Sequence, residues 1–115
     1  MSDRELLELA AKAAGYGEVW YAGGDSYIGP KPKFNKPIEY RTFNPLTDDG
    51  DALRLAVKLE MILAVRDEGK TDASVHIEDH PHPWQSFLVE HNDDPLAATR
   101  RAITRAAAEI GRSIK

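Results

Sequence analysis

FNPLTDDGDALRLAVKL, residues 43–59, sets a proline turn, three aspartates around a glycine and an amphipathic run side by side. A catalytic carboxylate pair needs two acids facing each other in a pocket that drives their pKa values apart. Asp48, Asp49 and Asp51, just ahead of apolar Leu53, Ala56 and Val57, fit a helix start instead. Asn44-Pro45 marks the turn and Thr47 is the expected N-cap, which places the three carboxylates in the first turn, beside amides carrying partial positive charge. Each acid contributes roughly 0.3 to 1 kcal/mol there, so the helix dipole accounts for the cluster without turnover chemistry. The spacing also lacks the alternate acids and the distal bidentate Glu of a calcium loop.

Working outward toward the N-terminus, Ile38 to Phe43 has strand composition. GPKPKFNKP at 29–37 precedes it, with three prolines that remove donors and bias their predecessors to extended backbone. Glu18 to Ala22 and Ser26 to Ile28 read as a hairpin about Gly23-Gly24-Asp25. Ser2-Asp3-Arg4-Glu5 is a capping box; Leu6, Leu7, Leu9, Ala10, Ala13 and Ala14 recur at helical spacing behind it, and Gly15 with Gly17 supplies the stop.

Toward the C-terminus, Met61 to Val65 is an apolar run of strand length. Asp67-Glu68-Gly69-Lys70 turns the chain back into Ala73 to Glu78, and Trp84 to Glu90 is a further strand. Asp94-Pro95 then opens a long helix with proline at its first position. Leu96, Thr99, Ile103, Ala106, Ala107 and Ile110 form its apolar face, while Arg101, Arg105 and Arg112 make a basic stripe on another face. The pattern predicts an α+β fold, a mainly antiparallel sheet packed with two or three helices as a helix-sheet-helix sandwich, with residues 1–115 as a single domain.

With 115 residues, one core of ordinary size is feasible without staples, and the absence of cysteine excludes thiol nucleophiles, disulfides and thiolate zinc sites. The net charge of −4, from 15 Lys and Arg against 19 Asp and Glu, argues against general nucleic-acid binding. No uncharged run approaches the roughly 20 residues needed to cross a bilayer, which points to a soluble protein with no membrane partner.

NPLTDDGDALRLAVKL at 44–59 and NDDPLAATRRAITRAAAEIG at 92–111 resemble, in order, two segments of the phage ABA sandwich domain proteins, small bacteriophage proteins with NinX-like relatives. Members carry Trp before the Asn-Pro turn, where this chain has Phe43, and its Lys-Pro and His-Pro segments are its own. The resemblance implies a helix-sheet-helix sandwich and a phage or prophage protein working in the host cytoplasm, and it brings no catalytic residues.

The candidate ligand-binding set lies in the first half: Trp20, Tyr21 and Tyr27 with Lys31, Lys33, Lys36 and Arg41, since stacking plus cation attraction suits a nucleotide-type or other small anionic ligand. Aromatics alternating in a hairpin are also what the core face of a sheet requires. Arg101 and Arg105 are the candidate partner-binding residues for a host or phage protein. His76, Glu78, His80 and His82 alternate and could share one extended face, but an i, i+2 imidazole pair needs further ligands to hold a first-row metal, and neither a metal nor a cofactor is assigned. Ser26, Ser74 and Ser86 sit in no nucleophile elbow, so no catalytic residue is assigned and the chain reads as a non-enzyme. Two functions remain: a counter-defence sponge that sequesters a nucleotide signal, or a protein-binding module. A homodimer is expected, because short hairpins leave a sheet edge to be covered or paired.

Overall fold

The computed structural model describes residues 1–32, 39–66 and 68–114. Their order is α1 (Asp3–Ala14), β1 (Val19–Ala22), β2 (Asp25–Ile28), β3 (Arg41–Thr42), α2 (Asp49–Lys58), β4 (Ile62–Arg66), β5 (Lys70–His76), β6 (Trp84–Glu90) and α3 (Pro95–Ser113). The α+β class holds, with every strand pairing antiparallel. The strands divide into two three-stranded sheets, β1-β2-β3 and β4-β5-β6, with the helices packed between them.

Helix ends follow the local chemistry. Ser2 caps α1 by accepting from the Glu5 amide, and Gly15 ends it at φ +76°. Gly23 and Gly24, at φ +59° and +84°, form the two-residue β1–β2 turn, whose positive φ values match the twist of the strands. Asp48, not Thr47, caps α2, because the Thr47 and Asp48 amides both go to the Asn44 carbonyl inside the turn and shift the helix start by one residue. Asp94 caps α3, with Pro95 in the first turn.

Several boundaries move. The strand expected from Ile38 to Phe43 is ordered as β3 only over Arg41–Thr42, and Ile38 lies outside the described residues. β5 starts at Lys70 and stops at His76, since Glu78 and Asp79 turn the chain, with Asp79 at φ +61°. Leu96, expected on the apolar face of α3, is 62% exposed.

α3 joins the two halves through two adjacent faces. Ala102 and Ala106 pack on Ala73, Val75 and Ile77, with Phe87 and Val89 beside them, and Ile103 and Ala107 pack with α1, α2, Ile28 and Phe43. The small side chains let α1 come close. A Cβ built on Gly111 would stand 2.8 Å from the Leu9 carbonyl carbon and closer still to its oxygen, well inside contact distance. α1 and α3 run side by side in the same direction, as Arg101 meets Asp3 and Lys12 reaches the Ile114 carbonyl. On the β4-β5-β6 sheet, Leu63, Ala73 and Phe87 form one row and Val65, Thr71 and Val89 the next, both facing α3. Ala73 and Thr71 are fully covered, yet Leu63 and Val65 of β4 are 36% and 60% exposed. The cover stops short of β4.

Candidate functional site

The three aspartates of the opening stretch take three different structural roles. Asp48 accepts the Asp51 amide at 2.8 Å as the cap of α2. Asp49 accepts from Arg100 at 2.7 Å, while the same guanidinium donates to the Leu46 carbonyl, which ties α3 to the turn. Asp51 is buried and accepts from the Asn44 amide at 2.9 Å, from Arg41 at 3.2 Å and from Arg54 at 2.7 Å. The bond to Asp51 leads the upward shift of the Arg54 pKa, ahead of an opposing desolvation. The helix dipole alone is therefore too narrow an account: Asp51 is a tertiary tie.

The seven candidate ligand-binding residues do not converge. Trp20 and Tyr27 stack on each other with centroids 4.6 Å apart, and Tyr40 meets both edge-on at 5.2 and 5.4 Å, so these rings partly cover one another on the face of the first sheet turned away from the helices. Tyr21 points to the opposite face, where the Arg4 guanidinium lies 4.1 Å from its ring centre. Partial burial, reinforced by Glu8 and opposed by Arg4, raises the Tyr21 pKa above 10.0. Arg41 is committed to Asp51 and to the face of Tyr16. Lys31 alone joins Trp20, across an open cleft of about 630 Å³ that Tyr16 and Glu18 also line. Lys33 and Lys36 lie outside the described residues.

The histidine segment folds away from a shared face. His76 ends β5 and packs edge-on against Trp84 at 5.2 Å; the chain then turns, and His80 Nδ1 accepts the His82 amide at 3.0 Å. Among the described residues no group of three metal-ligating side chains comes together.

Arg101 and Arg105, by contrast, do share a site. With Arg112 they project from one side of α3 into a groove of about 480 Å³, floored by Leu6 and Phe87 and bounded by Glu109. Positions four and eleven residues apart fall close together around a helix, which places three guanidinium groups on one stripe. Arg101 reaches Asp3 at 3.1 Å and Arg112 reaches Glu109 at 3.2 Å. Arg105 is exposed, makes no ion pair within 4 Å among the described residues, and carries its guanidinium 5.9 Å from the centre of the Phe87 ring. Spacing along the chain does not single out Phe87 as a site residue. Its one signal is its place in the alternation of β6, which puts Phe87 and Val89 on the helix side.

No family model, curated protein or solved structure matches this chain.

Proposed function

We propose that the chain is a non-catalytic binding module that grips an acidic, aromatic-containing segment of another protein in the Arg101–Arg105–Arg112 groove. The observation that carries this is Arg105: an exposed guanidinium without an ion-pair partner among the described residues, set over an aromatic ring between two further arginines. Guanidinium forks bind carboxylates bidentately, and the apolar floor of Leu6 and Phe87 offers an aromatic anchor its place. The pairs to Asp3 and Glu109 are part-exposed, so a partner's carboxylates exchange for them at low cost. The resemblance to phage ABA sandwich proteins supplies the setting: a phage or prophage accessory protein in the host cytoplasm, acting on a host or phage protein. No helix among the described residues is long and apolar enough to cross a membrane.

Fluorescence anisotropy with a labelled peptide of glutamates flanking one tyrosine tests the groove. Binding that weakens with salt, and that falls at least about tenfold on Arg105→Glu and severalfold on Phe87→Leu, supports it. Binding indifferent to Arg105→Glu defeats it.

A second reading rests on the Trp20–Lys31 cleft, where a small anionic or nucleotide-type ligand would stack on the indole and meet the ammonium. A thermal-shift panel of cyclic nucleotides and ADP-ribose derivatives separates the two: at a hundredfold excess over Kd a true ligand stabilises by about 2.7 kcal/mol.

A further inference from the structure

α3 lies over β5 and β6, and an α-helix about 10 Å across spans roughly two strands set about 4.8 Å apart. β4 is the strand left over. Its helix-side residues Leu63 and Val65 are 36% and 60% exposed, and on the other face Ile62 is 57% exposed. The opposite edge strand, β6, alternates exposed with half-buried residues, whereas β4 is open on both faces. An unpaired strand edge is a template for another strand, and monomeric proteins blunt such edges with lysine, proline or a bulge. Ile62-Leu63-Ala64-Val65 carries none of these.

We propose that the open edge of β4 pairs antiparallel with β4 of a second copy, joining two three-stranded sheets into one of six strands. The occupant follows from the order of charges. Residues 60–66 read EMILAVR, an acid at the start, a base at the end and only apolar residues between. A two-fold axis through Leu63 sets Ile62 opposite Ala64 and Leu63 opposite itself within the paired strands, and it brings Arg66, the last residue of one β4, to the turn that opens the other, where Glu60 stands at φ +54° just ahead of the strand. Within the strands the opposed residues share a face of the sheet, since their sequence numbers differ by an even amount. The ion pair forms twice. Among the described residues Arg66 pairs with Glu68 at 3.4 Å and Asp72 at 3.7 Å, both part-exposed contacts that exchange at low cost for a partner's carboxylate. A heterologous strand would need the same acid-apolar-base order by coincidence; a second copy supplies it by symmetry.

The dimer is independent of the Arg105 groove, which lies on the α1 side of α3. Sedimentation equilibrium on the full chain tests it, with Glu60→Arg, Arg66→Glu and the double exchange, all at exposed positions. The wild type is expected to dimerise, each single exchange to weaken the dimer at least about tenfold, and the double exchange to restore it to within about threefold. Leu63→Lys, which sets two ammonium groups at the axis, is expected to give a folded monomer. A wild type that stays monomeric up to about 1 mM overturns the proposal. So does a dimer indifferent to the single exchanges, or a double exchange as weak as either single.

Discussion

The interior of α3 and the stretch from α2 into β4 are both rich in apolar residues and meet opposite fates. Ala98, Ala102, Ile103, Ala106, Ala107 and Ala108 are buried, whereas Leu53, Val57, Ile62, Leu63 and Val65 are between 36% and 70% exposed. Hydrophobicity alone would predict the reverse, because the exposed set is the larger in side-chain volume. What decides is fit. Small side chains allow α3 to touch a sheet on one face and α1 on another, and once seated its width leaves no cover for the third strand. Among the described residues, Leu53, Val57 and the apolar β4 side chains are surface that no helix or strand covers.

The packed side breaks most sharply at Gly111. Gly111→Ala drives a methyl group into the Leu9 carbonyl, and backbone cannot yield as a flexible side chain does. The two helices must separate, at a cost of about 3 kcal/mol, read as a melting temperature lower by roughly 10–15 °C. An unchanged melt would mean that α1 is not seated tightly on α3. Asp51→Ala comes next, at about 2–3 kcal/mol, because it strands the part-buried Asn44 amide and leaves Arg41 and Arg54 without their shared acceptor. Asp51→Asn is expected to cost less, since it keeps an acceptor for the amide; denaturant titration measures both.

These residues also mark how far the fold is legible in the sequence. Caps, turns and periodicity are local, so α1, the glycine hairpin, β6 and the Asp94-Pro95 start of α3 can be read from the residues alone. Asp51 cannot. Its neighbours announce a helix start, but its burial depends on Arg41 and Asn44 arriving from the preceding strand and turn, which spacing along the chain does not encode. The aromatic set misleads for a related reason: alternation puts Trp20 and Tyr21 on opposite faces, so residues adjacent along the chain are remote in space. Arg101 and Arg105 share a face by helical period alone, and that much of the site is visible; the ring beneath Arg105 comes from another element. The division into two sheets is invisible because which strands pair is settled by tertiary packing on either side of the helices, not by the composition of each strand.

At the α2 terminus, Asp48→Ala is expected to cost about 1 kcal/mol while Thr47→Ala costs a few tenths, a difference that separates the observed cap from the one spacing suggests. On the open side, Val57→Ser should change stability by no more than about 0.5 kcal/mol, as its side chain is 70% exposed. A large loss there would show that α2 is covered in solution, which would move the dimer surface from β4 onto the helix.

The smallest effect concerns the two faces of the β1–β2 hairpin. Tyr21 faces the helices, and its pKa is raised above 10.0 first by burial and then by Glu8, with Arg4 pulling the other way. A raised value means that the fold favours the neutral phenol. The stability this contributes is complete below pH 10 and is lost as the pH climbs from the unfolded value through the higher folded one. Melting followed against pH should therefore decline across that alkaline window, and Tyr21→Phe should flatten the decline. Tyr27→Phe is the control from the outward face, where burial followed by Asp25 also raises the phenol but no helix covers it. If the two variants flatten the curve equally, the packed and open faces of the hairpin are not distinct in solution, and the contrast between covered and uncovered sheet would have to be confined to β4.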